Sequence, residues 1–116
     1  MTDTIYALSS GAVPAAIAVI RVSGPKARAA LQARAGKVPE PRRGAFASIR
    51  DPQSGELIDQ ALILFFEAPN SETGEDVAEL LLHGGRAVLA GVLEALSRME
   101  GLRPAEAGDF TRRVVG

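Results

Sequence analysis

The feature that most constrains the fold of this chain is an uninterrupted apolar run, Ala-Leu-Ile-Leu-Phe-Phe, at residues 61–66. Six residues are too few for an ordinary helix, whereas they match the usual length of a β-strand. A strand without polar side chains belongs in the interior of a sheet rather than at its solvated edge. The run therefore predicts a central strand, and with it a β-sheet as the frame of the fold.

Patterning on both sides of this run predicts the other elements. Further strands are expected at residues 4–8, 17–22, 45–49 and 77–82, with residues 57–66 around the apolar run and a short extended piece from residue 102. Helices are expected at residues 25–35, between Ser23 as N-cap and Gly36 as stop, and at residues 86–99, with a helical turn from residue 107. The order β-β-α-β-β-β-α-β predicts an α+β two-layer sandwich, a mixed sheet with helices packed mainly on one face.

Composition narrows the classes of function. The 116 residues predict one domain over residues 1–116. Thirteen Lys and Arg against fourteen Asp and Glu give a formal charge of −1, so direct binding of RNA or DNA is not expected. The chain has no Cys and one His, which argues against a metal site. Because no apolar run approaches ~20 residues and no basic leader is visible, we expect a cytoplasmic protein without a membrane partner.

Two charged residues interrupt faces that otherwise suit a core. Alternation places Arg21 among apolar side chains of the strand 17–22, and Glu79 among those of the strand 77–82. The pattern alone favours an exposed edge or a structural ion pair between them, since an unpaired buried charge costs several kcal/mol. The alternative is a ligand of matching polarity: a carboxylate accepts two parallel N–H bonds from an amino-pyrimidinone ring, and a guanidinium offers a planar fork of donors.

Three further motifs are more simply explained as turns or solvated loops than as functional sites. His83-Gly84-Gly85 joins a predicted strand to a helix, where glycines permit close approach to an anion, but a tight turn is the simpler interpretation. Residues 73–76 carry adjacent carboxylates that point apart on an extended chain, which favours a solvated turn. Arg42 and Arg43 form a small basic spot in a solvated loop. No catalytic residue and no metal ligand is predicted.

A more specific identification comes from five stretches with compatible spacing. They read DTI at residues 3–5, IRVSGP at 20–25, APNSETGEDVAEL at 68–80, HGG at 83–85 and GDFTRR at 108–113. The block P-N-S-x-T-G-E-D-x-x-E-L with the following H-G-G is long and specific, and the match runs over essentially the whole chain. The chain resembles the N-terminal domains of the bacterial tRNA-modifying GTPases called MnmE or TrmE.

This resemblance implies a domain related to the tetrahydrofolate-binding domain of glycine-cleavage aminomethyltransferases. Such a domain forms a homodimer and binds formyl- or methylene-tetrahydrofolate. The intact protein adds a helical domain and a GTPase domain that uses GTP, Mg²⁺ and K⁺. With an FAD-containing partner, MnmG or GidA, it modifies C5 of wobble uridine in tRNA, which the full complex binds rather than this domain. The chain itself, without a GTPase module, is expected not to hydrolyse GTP.

The resemblance also assigns residues. By motif position, Arg21 and Glu79 match the folate contacts of the family: Glu79 binds the ring N–H and amino group of the pterin, and Arg21 positions the folate. A matched carboxylate–pterin pair contributes about 1.5–3 kcal/mol. The resemblance further suggests that His83, Gly84 and Gly85 lie next to the folate.

The sequence departs from the family in two places. Residues 9–15 replace a Pro-Pro-Gly and glycine-rich loop, which is expected to alter how the loop covers the ligand. Downstream of Phe110 the family continues R-A-F-x-N-G-K, whereas Arg113 is followed here by Val-Val-Gly, so the folate-contacting Lys is not in this sequence. Two alternatives stay open: a stand-alone folate-dependent one-carbon transferase, and a purely structural dimerisation module.

Overall fold

The computed structural model describes residues 3–8, 17–83 and 85–115. Within these ranges the strands are β1 Thr4–Leu8, β2 Ala18–Ser23, β3 Ala45–Arg50, β4 Leu57–Phe66, β5 Val77–Leu82 and β6 Leu102–Pro104. The helices are α1 Ala27–Ala35, α2 Arg86–Ser97 and α3 Asp109–Val115. The element order predicted from the sequence is therefore confirmed, with boundaries that differ by one or two residues.

The strands of the described residues form one mixed sheet in the order β3-β4-β5-β2-β1-β6. Neighbouring strands are antiparallel, except that β1 and β6 are parallel. β2 and β5 lie in the middle, and their register places Arg21 directly opposite Glu79. The predicted α+β class with a mixed sheet is confirmed.

The main core lies between one face of the sheet and the helices α1 and α2. Alternate residues of β2, β4 and β5 are fully buried there, because the helices cover that face: Ile20, Val22, Ile63, Phe65, Leu80 and Leu82. Leu31 of α1 and Leu96 of α2 complete the cluster. The thin stripe predicted for α1, Ala27 with Ala30 and Leu31, is the face that it buries.

The prediction for residues 61–66 is right about the interior of the sheet and wrong about its centre. β4 is bonded on both sides, to β3 and β5, but it lies next to the β3 edge. Its side chains at 61, 63 and 65 are buried, whereas those at 62, 64 and 66 are only partly covered. No described helix covers β4 on this second face. We call the second face, on which Val19, Phe46, Leu62, Leu64 and Leu81 lie by register, the open face.

The start of α1 differs from its prediction. Lys26, not Ser23, is the N-cap residue, and no N-cap side chain bonds to the helix. The backbone N–H of Lys26 instead donates to Oγ1 of Thr4 in β1, at 2.8 Å. Gly24 makes this approach possible, because a Cβ at its position would lie 2.6 Å from the Thr4 Cα and its φ is +140°. Ser23 is therefore free for another role.

None of the helices among the described residues is long and apolar enough to cross a membrane.

Candidate functional site

Arg21 and Glu79 meet on the open face, across neighbouring strands. Nε of Arg21 donates to Oε2 of Glu79 at 3.1 Å, and Nη2 donates to the same oxygen at 2.8 Å. Both side chains are largely covered, with 24% and 16% of their side-chain surface exposed. The structure thus forms the ion pair that the sequence offered as one alternative.

A second carboxylate approaches the same guanidinium from the loop before β5. Nη1 of Arg21 donates to Oε1 of Glu72 at 2.9 Å. We call Arg21, Glu72 and Glu79 the site network. It borders a cavity of about 170 Å³, whose walls are completed by Phe66 and Val77. An aromatic ring, an aliphatic side chain and charged groups therefore surround one small opening on the sheet.

The site network is unbalanced in charge and in hydrogen bonds. One guanidinium faces two carboxylates, so the cluster carries a formal excess of one negative charge. Both bonds from Arg21 to Glu79 end on Oε2, and Oε1 of Glu79 has no partner among the described residues. That oxygen is also not a buried unsatisfied atom, so solvent reaches it. The cavity consequently offers a free acceptor to a ligand that carries N–H groups.

The loop that carries Glu72 is anchored to β2 by buried polar contacts. The hydroxyl of Ser23 donates to Oε1 of Glu75 at 2.8 Å and lies 2.8 Å from Oγ1 of Thr73. Since Ser23 has one hydroxyl proton, the Thr73 hydroxyl is the donor in the second contact. Thr73 and Ser23 are both buried. The expectation of a solvated turn at residues 73–76 is therefore wrong, because β2 supplies partners that local spacing does not reveal.

Arg113 of α3 ties this loop to the rest of the sheet. Its Nη1 donates to Oε1 of Glu75 at 3.0 Å and to the backbone oxygen of Ser23 at 3.1 Å. Its Nη2 donates to Oδ1 of Asp3 at 2.8 Å. With 14% of its side chain exposed, Arg113 is a largely covered connection between the start of β1, the end of β2 and the loop.

The same helix is held by further ion pairs, which we call the latch network: Asp3, Arg103, Asp109, Arg112 and Arg113. Arg103 donates to Asp3 and, at 2.9 Å, to Asp109. The bond from Arg103, a backbone N–H from Glu106 and the bond from Arg112 hold the pKa of the Asp109 carboxyl well below its usual range. The bond from Arg103 likewise lowers the pKa of Asp3. Both carboxylates are thereby kept ionised.

Comparison with known proteins now identifies the chain. A family profile described as "GTP-binding protein TrmE N-terminus" matches residues 4–115. The chain belongs to the TrmE N-terminal family. This confirms the family indicated by the motifs of the sequence.

Relatives of the TrmE family match nearly all of the chain. A "tRNA modification GTPase MnmE" from Azorhizobium caulinodans is 56% identical over 97% of the chain, which covers 26% of the relative. One of the same name from Novosphingobium aromaticivorans is 57% identical over 98% of the chain and 26% of the relative. A mitochondrial 5-taurinomethyluridine tRNA synthase subunit GTPB3 from Danio rerio is 54% identical over 97% of the chain and 22% of the relative. The chain thus spans about a quarter of the length of these TrmE relatives.

The structure does not bring His83 to the site network of this TrmE-family domain. His83 follows the far end of β5, four residues beyond Glu79, which is roughly 13 Å along an extended strand. Its backbone N–H donates to Asp59 at 2.8 Å. Gly85 is the N-cap residue of α2, and Gly84 lies outside the described residues, as does the divergent loop at residues 9–15.

Sequence reasoning missed Glu72, Thr73, Glu75 and Arg113 as neighbours of the site. Their motif positions were part of the TrmE resemblance, and the run P-N-S-x-T-G-E-D was a usable signal for the loop. For Arg113 the only signal was the GDFTRR motif, because its contacts lie 38 to 110 residues away in sequence. Among the described residues no group of His, Cys, Asp and Glu is arranged to hold a metal ion.

Proposed function

We propose that the cavity beside Arg21 and Glu79 binds the pterin ring of a formyl- or methylene-tetrahydrofolate. The observation that carries this proposal is the free Oε1 of Glu79, which faces solvent next to a cavity with an aromatic wall. The amino-pyrimidinone half of a pterin presents adjacent N–H donors, which a carboxylate accepts in parallel. The excess negative charge of the site network suits such a donor ligand and disfavours a phosphate.

Arg21 then acts as a positioning residue as much as a contact. Its guanidinium fixes the Glu79 carboxylate by two bonds and is itself held by Glu72. A carboxylate held in this way loses little side-chain freedom on binding, which lowers the entropic cost of association. Phe66 supplies an apolar surface for the flat ring.

The cavity is too small to enclose a whole folate, which indicates that another surface covers the rest of the ligand. Its volume of about 170 Å³ is below the ~300–1,000 Å³ typical of pockets that enclose a drug-sized molecule. A folate is such a molecule, so its benzoyl-glutamate part extends beyond the cavity. We infer that a second copy of the chain, placed against the open face, forms the missing wall of a homodimeric site.

The open face gives this dimer an independent argument. Val19, Leu62, Leu64 and Leu81 are partly exposed there and Phe46 is 67% exposed, so one continuous surface of the sheet is apolar and uncovered by described helices. Apolar patches of this kind mark association sites on soluble domains. The same observation favours the second candidate, a structural dimerisation module that binds no folate.

The names of the relatives, which are tRNA modification GTPases, support a proposal for the wider role. We infer that the chain serves a GTP-hydrolysing tRNA-modification enzyme, which acts with a flavoprotein of the MnmG or GidA kind on C5 of wobble uridine. In this scheme the folate supplies the one-carbon unit, and tRNA is bound by the whole complex. GTP, Mg²⁺ and K⁺ belong to the GTPase part of the longer protein. A cytoplasmic location remains the expectation from the sequence.

Isothermal titration with formyl-tetrahydrofolate tests the ligand. We expect saturable heat, and Glu79→Gln should weaken binding at least about tenfold, which corresponds to ~1.4 kcal/mol. Glu100→Gln is the matched control, because this exposed carboxylate bonds to no described residue. Thermal unfolding of each variant separates lost binding from lost folding. Equal affinities of the two variants would contradict the proposed site.

The homodimer and the wider role need separate measurements. Sedimentation equilibrium should give a dimer, and Leu64→Glu on the open face should yield a folded monomer. If both this chain and a longer protein that continues past residue 116 dimerise without binding folate, the second candidate, a structural dimerisation module, is the function that remains. In that longer protein, Glu79→Gln should abolish wobble-uridine modification while GTP hydrolysis continues.

A further inference from the structure

The outer edge of β3 is open. β3 pairs only with β4, at one end of the strand order. In an antiparallel pair, every second residue of an edge strand directs its N–H and C=O away from the partner. No described backbone group outside this pair bonds to residues 45–50. This strand therefore carries a row of unpaired donors and acceptors about 20 Å long for its six residues.

A groove runs along this edge. Its volume is about 640 Å³, and it is lined by residues 46–48 and 50 of β3 and by residues 33–37 at the end of α1. Because consecutive residues of a strand point to opposite faces, a groove that contacts both kinds follows the edge of the strand. Asp51 and Pro52 of the turn between β3 and β4 also line the groove. The space accommodates one more extended chain.

The charges along the groove are mainly positive. Among the described residues that line it, Arg34, Lys37 and Arg50 are cations, and Asp51 is the one carboxylate. Oδ1 of Asp51 already accepts the N–H groups of Gln53 and Ser54. The C-terminal end of α1 adds about half a negative charge. Arg34 donates to the backbone oxygen of Ala95 near the end of α2 at 2.8 Å, so Lys37 and Arg50 supply the positive charge available to a ligand. Lys37 forms no bond with any described residue.

We propose that the outer edge of β3 binds an extended acidic segment of a partner protein as an additional strand of the sheet. Main-chain hydrogen bonds to β3 hold the segment, and its carboxylates face Lys37 and Arg50. Two strands, β4 and β5, separate β3 from the strand of Arg21, or roughly 14 Å at the usual strand spacing. The groove therefore lies apart from the cavity beside Glu79, so a failure of peptide binding and a failure of folate binding can be told apart, although Phe46 belongs both to the groove and to the open face.

A fluorescein-labelled peptide of four Glu-Val repeats is a suitable probe. We expect fluorescence anisotropy to show saturable binding to the chain, and a peptide of four Lys-Val repeats should bind at least tenfold more weakly. A third peptide carries Pro in place of one central Val, which removes an N–H and disrupts an added strand. It should also lose most of its affinity. Equal binding of this third peptide would reduce the effect to general charge attraction and overturn the proposal.

Matched charge reversals locate the surface on the protein. Lys37→Glu should weaken binding of the Glu-Val peptide at least fivefold, whereas Lys26→Glu, at the opposite end of α1, should change it less than twofold. Hydrogen exchange adds a backbone readout: amides within residues 45–50 should become protected with the peptide, and those of β6 should not. Equal effects of the two reversals, or protection of β3 by self-association without peptide, would refute binding of an acidic partner.

Discussion

The site network and the latch network are both clusters of arginine and carboxylate on one sheet, but they are balanced differently. In the latch network, all four carboxylate oxygens of Asp3 and Asp109 accept a bond from an arginine. In the site network, two carboxylates share one guanidinium, and one oxygen of Glu79 is left to solvent. The first arrangement joins chain segments, and the second leaves a carboxylate oxygen available to accept a hydrogen bond from a ligand.

This difference indicates how ion pairs divide between structure and function. A saturated cluster fixes geometry, because the bonds to Asp3 join residues 100 and 110 positions apart in sequence and the bonds to Asp109 fix the start of α3. In an unsaturated cluster at a cavity, the bonds between the charges do not fully offset the cost of removing those charges from water. The unused acceptor is available to a ligand. Removal of residues from each network should therefore have opposite consequences for folding and for binding.

The largest effect on stability is expected from Arg113→Met. Arg113 donates to four oxygen atoms: the side chain and the backbone of Asp3, Oε1 of Glu75 and the backbone of Ser23. The change therefore removes the donor of four contacts. We expect the free energy of unfolding in urea to fall by about 2–3 kcal/mol. Arg43→Met, in an exposed loop, should change it by less than about 0.5 kcal/mol. Similar losses for both variants would contradict the role of the latch.

The next effect is a dependence of stability on pH below about 4. Because Arg103 donates to both carboxylates, the pKa values of Asp3 and Asp109 in the folded chain lie below the ordinary value of an aspartate. The unfolded chain therefore binds protons first as the pH falls. Their stabilisation is complete above the unfolded pKa and is lost as the pH falls through the folded values. Urea midpoints between pH 2 and 6 measure this. Asp109→Asn should flatten the curve; an unchanged slope in this variant would exclude Asp109 as a source.

A smaller change in stability is expected when both partners of the site pair become apolar. Arg21→Met/Glu79→Leu removes two charges from a partly covered position, and Glu72, which loses its bond to Arg21, stays solvated because its side chain is 61% exposed. We therefore expect unfolding free energies within about 1 kcal/mol of the original chain, or above it. Folate binding should disappear in the same variant. A loss as large as that of Arg113→Met would remove the distinction between the two networks.

The smallest effect is expected from Glu72→Gln. Glu72 is 61% exposed, and an exposed ion pair contributes about 0–1 kcal/mol. Stability should stay within about 0.5 kcal/mol, while folate affinity falls about two- to threefold because the net negative charge of the site is lost. Titration calorimetry and urea unfolding report the two quantities separately. If stability changed more than affinity, Glu72 would belong with the latch.

Much of the fold could be predicted from the sequence because it rests on local periodicity. β5 and α2 follow directly from a short, mainly apolar run and from the three-and-four spacing of apolar residues. Arg21 and Glu79 stood out by the same logic, since each interrupts an apolar face. The position of β4 beside an edge could not be predicted in this way, because strand order depends on long-range pairing.

The supporting residues of the site were missed for a related reason. Ser23 has the composition of a helix N-cap, but its hydroxyl bonds to Thr73 and Glu75, about fifty residues away. Local capping preferences are worth about 1 kcal/mol, and two buried side-chain contacts outweigh them. Only the assembled sheet brings these partners together.

The register of β2 and β5 has a consequence for folding itself. Arg21 lies opposite Glu79 in that pairing. A slip of either strand by a single residue inverts its faces and carries a charged side chain into the apolar core between the sheet and α1. Such a misaligned pairing of the two strands costs several kcal/mol. The two charges thereby favour the native register of β2 and β5 during folding, independently of any ligand.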